Sequence, residues 1–152
     1  MNKNSNRVLA LGVFDLFHIG HLNFLQLAKQ QGDKLIVGVA PDVMCLKSKG
    51  KAPIIEQNQR MSIIQALNVV DEVTLVQFPI IQTDQVLAWI LSLNIATVVS
   101  GKQWQNTERW NKLMPKLAKH NINVVFVAET PNISSTQIKQ KIIEQKIREQ
   151  VL

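Results

Sequence analysis

Two histidines three positions apart, His18 and His21, are the residues of this 152-residue chain best suited to chemistry. They stand where an apolar, strand-like run ends and a helical pattern begins, so they fall on one face of the first helical turn. Backbone N–H groups at a helix N-terminus lack partners within the helix, and the helix dipole adds partial positive charge. Two imidazoles there can complete a site for a phosphate. A helix-capping histidine and a buried structural histidine are the alternative interpretation.

A run of three hydroxyl residues near the C-terminus is a second candidate for phosphate binding. Ser134, Ser135 and Thr136 stand directly before the apolar positions of a predicted terminal helix. Serine and threonine are preferred helix N-caps, so hydroxyls and free backbone N–H groups would converge at this point. A purely structural cap explains the same three residues.

Three lysines, Lys47, Lys49 and Lys51, form a basic group in residues 41–56, a segment that the sequence predicts to be a loop. The segment contains two prolines and a glycine, and its length favours a flap over a ligand. The basic residues of the terminal helix alternate with glutamates, which is typical of a solvated helix face. The loop lysines are therefore the cations of greater interest, and a solvated basic loop is their alternative interpretation.

The elements that must position these residues alternate between strand and helix. Apolar runs of strand length cover residues 8–13 and 34–40, with leucines at helical spacing between them. Further strands are predicted at 72–77, 97–100 and 124–128, and helices at 57–67, 83–93, 107–120 and from 134 onward. This alternation predicts an α/β fold with a doubly wound, mainly parallel five-stranded sheet and helices on both faces. Ligands of such sheets bind beyond the carboxyl ends of the strands, and the candidate segments follow strands.

Length and composition limit the class of protein. The length fits one domain, residues 1–152, and a single cysteine, Cys45, excludes an intrachain disulfide and suits a reducing cytosol. No apolar run approaches the roughly 20 residues of a membrane span, and the polar N-terminus shows no export signal. The net charge of +6 prompts a nucleic-acid-binding hypothesis, but the chain has no tyrosine for an aromatic platform. We expect a cytoplasmic protein without a membrane or nucleic-acid partner.

Two segments carry a resemblance to a known family. Gly-Val-Phe-Asp at 12–15, followed by His-Ile-Gly-His at 18–21, resembles the first signature of the cytidylyltransferase-like nucleotidyltransferases. Ile-Ser-Ser-Thr at 133–136 resembles their second signature, and the likeness spans roughly residues 7–143. The resemblance implies the Rossmann-like nucleotidyltransferase fold. Within the family, the likeness is greatest to bacterial glycerol-3-phosphate cytidylyltransferases and to the nucleotidyltransferase domains that make ADP-heptose.

The resemblance also implies roles for individual residues. His18 and His21 would stabilise the charge that develops on the α-phosphate. Lys47 and Lys49 would contact substrate phosphates, and Lys49 would also act in catalysis. The implied nucleotide-binding residues are Gly12, Val13, Phe14, Asp15, Gly20, Arg60, Gly101, Trp104, Ser134, Ser135 and Thr136. Mg²⁺ would accompany the nucleoside triphosphate, CTP or alternatively ATP, without a metal site made by protein alone.

Two segments depart from the family pattern. The cytidylyltransferase branch often has Gly-Asp-Asp-Trp after its fourth strand, where this chain has Gly-Lys-Gln-Trp, so Gln103 replaces an acidic residue. The same branch often has an arginine where this chain has Glu129, and Lys102 is a conjectured substitute for that cation. Recognition of the base and the acceptor is therefore open.

The leading functional hypothesis is transfer of CMP from CTP to a small phosphorylated alcohol, namely glycerol 3-phosphate, with release of pyrophosphate. The enzymatic alternative is adenylyl transfer from ATP to a heptose-type sugar phosphate or to FMN. A non-catalytic nucleotide-binding domain is the alternative from another class, because of the departures at Gln103 and Glu129. The resemblance further implies a homodimer.

Overall fold

The computed structural model describes residues 6–151, which form five parallel strands with helices on both faces of the sheet. In chain order the elements are β1 (Arg7–Gly12), α1 (Ile19–Lys29), β2 (Lys34–Val39), α2 (Asp42–Lys49), α3 (Gln57–Gln65), β3 (Glu72–Leu75), α4 (Thr83–Ser92), β4 (Thr97–Gly101), a 3₁₀ turn (Lys102–Trp104), α5 (Glu108–Lys119), β5 (Asn123–Val127) and α6 (Ser135–Val151).

The strands lie in the order β3-β2-β1-β4-β5, and every pairing is parallel. The chain moves outward from β1 to β3 and then returns to the other side of β1 with β4. The connection order therefore reverses between β1 and β4, which places a ligand-binding crevice at the carboxyl ends of these central strands. The predicted doubly wound, parallel five-stranded α/β fold is confirmed.

Two layers of the core, one on each face of the sheet, explain why the strands are apolar along their whole length. Leu9 packs on one face together with residues of α4 and α5, including Trp89 and Trp110. Val8 and Ala10 pack on the other face against α1 and α3. Because successive strand residues point to opposite faces, a strand covered on both sides must be apolar throughout.

Residues 42–49 differ from the prediction, because they form helix α2 and not part of a loop. Asp42 lies in the first turn of α2, and Gly50 ends it with a φ of 75°, a left-handed conformation that glycine adopts without steric cost. Cys45 is its one buried residue, so the helix has no apolar stripe that periodicity could detect. The predicted flap is reduced to residues 50–56.

Candidate active site

The two histidines form a reciprocal cap at the start of α1. His18 is the N-cap, and its Nδ1 accepts a hydrogen bond from the backbone N–H of Gly20 at 3.0 Å. The Nδ1 of His21 accepts one from the backbone N–H of His18 at 3.3 Å. The rings stack with centroids 3.8 Å apart. The capping interpretation is therefore correct in geometry, and it leaves the Nε2 atom of each ring available to a ligand.

Burial keeps both imidazoles neutral at physiological pH. The pKa of His21 is lowered to about 4, mainly by burial and in addition by the nearby His18 ring, while Asp15 opposes the shift. Burial also lowers the pKa of His18. Because each Nδ1 accepts a backbone hydrogen bond, the proton of each neutral ring resides on Nε2. The pair therefore offers two N–H donors to the pocket that it lines.

Phe14 supports the histidines from the core. Its ring is 4% exposed and contacts the ring of His21 edge-on, with 5.6 Å between centroids. A Cβ added to Gly12 would lie 2.8–2.9 Å from two atoms of the Phe14 ring, so this position requires glycine. The signature residues Gly12 and Phe14 thus pack against each other, and both also line the pocket.

Asp15 fastens three segments together. Its carboxylate accepts hydrogen bonds from the backbone N–H groups of Ile54 at 2.8 Å and Ile55 at 2.9 Å, which holds the 50–56 segment at the pocket. The Ser135 hydroxyl donates to the backbone carbonyl of Asp15 at 2.6 Å and so joins α6 to the histidine turn. Lys139 Nζ lies 4.0 Å from the Asp15 carboxylate. Asp15 is therefore a turn and anchor residue in this structure.

The hydroxyl cluster lies at the N-terminus of α6, beside the histidines. Ser134 accepts a hydrogen bond from the backbone N–H of Gln137 at 3.1 Å, as an N-cap residue does. A Cβ on Gly20 would lie 3.3 Å from a methyl carbon of Ile133, so the two signature segments are in close contact. Ser134, Ser135 and Thr136 all line the same pocket as the histidines.

A single pocket of about 500 Å³ joins these elements at the carboxyl edge of the sheet. Its walls include residues that follow each of the five strands, and Val13 lines it as well. The side near β2 and β3 is apolar, with Met44, Val76, Pro79 and Ile80. The arrangement can hold a phosphorylated ligand at the histidines while an apolar group lies on the sheet edge.

Arg60 does not lie where the resemblance implied. Its side chain is fully buried, the residue is 1% exposed, and it does not line the pocket. Its guanidinium donates to the carbonyls of Ile55 (2.8 Å), Val13 (2.6 Å) and Ala40 (2.9 Å) and pairs with the Asp42 carboxylate at 2.7 Å. Arg60 therefore connects α3 to α2 and to the ends of β1 and β2. The resemblance implied that Arg60 contacts phosphates, but in the structure its side chain lies in the core and not in the pocket.

The structure also differs from the prediction in which lysines reach the pocket. Lys49 lines the pocket from the end of α2, whereas Lys47 is exposed elsewhere on that helix and does not. Lys102, the conjectured substitute cation, likewise lies outside the pocket lining. Three further basic residues line the pocket: Lys51, which belongs to the basic group of the predicted flap, and Arg109 and Lys139, which the sequence did not single out. Nothing in their local pattern distinguished the last two from ordinary surface residues of helices.

The end of β4 contributes an aromatic and polar wall. Trp104 lines the pocket, and the guanidinium of Arg109 lies 5.0 Å from the centre of the Trp104 ring, a cation–π contact. A Cβ on Gly101 would lie 2.7 Å from the Cδ and Nε2 atoms of Gln103. The exposed Gln103 side chain therefore lies over Gly101, and a Cβ at position 101 would displace its carboxamide end.

The fold and this pocket define a class of protein that binds phosphorylated ligands at the switch point of a doubly wound sheet. A family model described as cytidylyltransferase-like matches residues 9–141. The chain is 34% identical to an FAD synthase of Thermococcus sibiricus, over 93% of this chain and 95% of that protein. It is 33% identical to an FAD synthase of Thermococcus kodakarensis, over 91% and 92%. The chain belongs to the cytidylyltransferase-like family and is a nucleotidyltransferase.

A solved structure supports the same assignment. It is the lipopolysaccharide core biosynthesis protein from Thermoplasma volcanium, with a TM-score of 0.65 and 32% identity, covering 83% of this chain and 97% of that one. Within residues 6–151, the structure has no helix that combines the length and the apolar character of a membrane span.

The predicted transfer of CMP from CTP to glycerol 3-phosphate is wrong. Three relatives matched over more than nine-tenths of their length are FAD synthases, which correspond to the FMN alternative. The reason lies in what the motifs encode. A histidine pair and a helix N-terminus handle the phosphates of any nucleoside triphosphate, so they carry no information on the base or the acceptor.

Proposed function

We propose that this protein transfers AMP from ATP to FMN, producing FAD and pyrophosphate. The observation that carries the proposal is the similarity to FAD synthases along nearly the whole of both chains. The structure supports it with a pocket that offers phosphate-binding groups in its centre and an apolar wall on one side. FMN has the same division between a charged phosphate and a large aromatic ring system.

The reaction places most of its demands on position and charge. An oxygen of the FMN phosphate attacks the α-phosphorus of ATP, a new P–O bond forms, and the bond from the α-phosphorus to the bridging oxygen breaks as pyrophosphate leaves. Negative charge increases on the α-phosphate oxygens in the transition state. The Nε2–H groups of His18 and His21 are preorganised donors for that charge, because their rings are fixed by the reciprocal cap.

The triphosphate belongs at the N-terminus of α6. Ser134, Ser135 and Thr136 line the pocket there, and the free backbone N–H groups and dipole of a 17-residue helix favour an anion. Lys139 adds a positive charge on the same helix, where it lines the pocket. This position lies next to the histidines through the contact between Gly20 and Ile133, so the α-phosphate can reach both groups.

FMN belongs on the opposite side of the histidines, over the ends of β2 and β3. Met44, Val76, Pro79 and Ile80 form the apolar wall for an aromatic ring system there. Lys49 and Lys51 line the pocket near the end of α2 and can hold the FMN phosphate beside the α-phosphate of ATP. In this proposal Lys49 also has the catalytic role that the resemblance implies.

Mg²⁺ fits this pocket as part of the nucleotide complex. Among residues 6–151 no group of three or more His, Cys, Asp or Glu side chains could hold a metal ion. The Asp15 carboxylate is occupied by backbone N–H groups. The triphosphate oxygens and water would hold the ion, which would neutralise charge on the phosphates. We further propose that the protein is cytoplasmic, which its single cysteine favours, and that it is a homodimer, as the resemblance implies; sedimentation velocity tests the dimer.

Formation of FAD from FMN and ATP, followed by chromatography with Mg²⁺ present, tests the proposal. We expect product with ATP and FMN and none when CTP replaces ATP or glycerol 3-phosphate replaces FMN. The substitutions His18→Ala and His21→Ala should each lower kcat by about 100- to 1,000-fold, the usual effect of removing one oxyanion donor. His120→Ala, which removes an exposed histidine at the end of α5, is the matched control. ATP binding without FAD formation by the unmodified protein would refute the assignment.

A further inference from the structure

The backbone N–H of Phe14 is a hydrogen-bond donor without an acceptor in the part of the chain that the structure describes. Phe14 lies between β1 and α1, and its N–H takes part in none of the turn, loop or side-chain hydrogen bonds of residues 6–151. The residue is buried and lines the pocket. Because buried backbone N–H groups almost always have a partner, this donor indicates a ligand.

The direction of this N–H follows from its peptide bond. The carbonyl of the same peptide belongs to Val13, and it accepts a hydrogen bond of 2.6 Å from the buried Arg60 guanidinium. The peptide is trans, so its N–H points opposite to its carbonyl and therefore away from Arg60. Since Val13 and Phe14 line the pocket and Arg60 does not, that direction is toward the pocket.

Phe14 keeps this orientation in a strained conformation. Its φ is 58°, a left-handed value that is unfavourable for a residue with a Cβ. Rotation of the Val13–Phe14 peptide by about half a turn would return φ to an ordinary negative value, but it would exchange the directions of the carbonyl and the N–H. The hydrogen bond from Arg60 opposes this rotation, because the Val13 carbonyl would lose its donor. Strain of this kind persists only where the surrounding structure holds it.

We propose that Arg60 is a positioning residue for nucleotide binding, which holds the Val13–Phe14 peptide so that the Phe14 N–H donates to a phosphate oxygen of ATP. This inference rests on the proposed function. The Phe14 ring contacts the ring of His21 with 5.6 Å between centroids, so its N–H adds a backbone donor beside the two imidazoles. A rotated peptide would instead present the negative end of the Val13 carbonyl to the phosphates. Arg60 thus acts on the nucleotide through one peptide and does not contact it.

Nuclear magnetic resonance of the unmodified protein tests the donor. Mg²⁺-ATP is added to ¹⁵N-labelled protein without FMN. The amide proton of Phe14 should move downfield and exchange more slowly with solvent as the site fills, because it then donates to a charged oxygen. Adenosine, which has no phosphate, should not produce this change. A Phe14 amide that does not respond to saturating Mg²⁺-ATP would overturn the inference, as would a failure of Mg²⁺-ATP to bind.

The substitution Arg60→Met tests the role of the arginine, at a temperature where the variant is folded. The Val13 carbonyl loses its donor and can turn to the pocket. The dissociation constant for Mg²⁺-ATP, measured by calorimetry, should therefore rise about 10- to 100-fold, the range for loss of one hydrogen bond to a charged group. The Phe14 amide should no longer respond to the nucleotide. The amides of Ser134 and Thr136 should still respond, which distinguishes a rotated peptide from a disrupted pocket.

Arg7→Met is the matched control, because Arg7 lies at the opposite end of β1. Its guanidinium donates to the Leu93 carbonyl at 2.9 Å and pairs with Glu72 at 3.1 Å, and it does not line the pocket. Its removal should lower stability but change the dissociation constant for Mg²⁺-ATP by less than about 2-fold. Equal losses of affinity in Arg7→Met and Arg60→Met would overturn the positioning role, since lower stability alone would explain them.

FAD formation by the unmodified protein is measured separately. If no FAD forms while Arg60→Met still loses both its affinity for Mg²⁺-ATP and the response of the Phe14 amide, the proposed acceptor is wrong and the positioning role of Arg60 stands. If FAD forms and Arg60→Met binds Mg²⁺-ATP as tightly as the unmodified protein, the proposed function stands and the positioning role is wrong.

Discussion

The buried Arg60 provides the sharpest test of the structure against the resemblance. The substitution Arg60→Met keeps a side chain of similar length but removes all four interactions of the guanidinium. Three backbone carbonyls, those of Val13, Ala40 and Ile55, would lose their donor from this side chain. Asp42 is less affected, because its side chain is 32% exposed and also accepts a hydrogen bond from Gln57.

The expected loss of stability follows from these contacts. Each buried carbonyl left without its donor costs about 1–2 kcal/mol, and breaking a buried ion pair typically costs about 3–5 kcal/mol in total. We therefore expect Arg60→Met to lower the free energy of unfolding by about 3–5 kcal/mol, measured by urea denaturation with circular dichroism. Arg60→Lys should lose an intermediate amount, because an ammonium group has three donors and cannot reproduce the planar fork of the guanidinium.

Lys47→Met is the control, since it removes an exposed cation on α2 that does not line the pocket. It should change the free energy of unfolding by less than about 0.5 kcal/mol. If Arg60 binds phosphate instead, Arg60→Met would fold as stably as Lys47→Met and the KM for ATP would rise. That result would refute the structural role.

Two further predictions concern the pocket. The substitution Asp15→Asn removes an acceptor for the N–H groups of Ile54 and Ile55, so limited proteolysis should cut residues 50–56 faster than in the unmodified protein; equal rates would contradict the anchor. Because the pKa of His21 is about 4 in the folded protein and 6.5 ordinarily, the unfolded chain binds the extra proton between these values. The free energy of unfolding should thus fall as pH drops from 6.5 to 4, by about 1–2 kcal/mol after solvent screening, and His21→Gln should reduce this fall.

The sheet and the histidine turn were predictable because their signals are local. A strand buried on both faces is apolar throughout, and the runs containing Leu9 and Ile36 have that pattern. The cap at α1 requires His18 and His21 three positions apart, a spacing visible in the sequence. The roles assigned to these residues in catalysis stay predictions, although the structure brings them together with Ser134 and Lys49 in one pocket.

Helix α2 and the place of Arg60 were not predictable from such signals. Eight residues with one buried side chain give no periodicity, although Asp42 in the first turn and Gly50 after the last are standard helix boundaries. Arginine is usually exposed, so Arg60 could not be recognised as a core residue without its partners, which come from three other segments. The groups that pair with a buried charge come from distant parts of the chain, so the local sequence does not reveal that the charged residue is buried.

The error about the substrate has a structural cause. The reversal of connection order between β1 and β4 places the histidines in the middle of the pocket, with one side over β4 and β5 and the other over β2 and β3. The central groups match the family signature, and the role proposed for them is to act on phosphates, which ATP and CTP share. Discrimination must come from the two sides, where Gln103 and Glu129 depart from the cytidylyltransferase pattern and the apolar wall has no motif. A change of substrate should therefore be sought first at the positions that depart from the signature. A new base or acceptor requires different residues at those positions, whereas the phosphate-binding groups can stay the same.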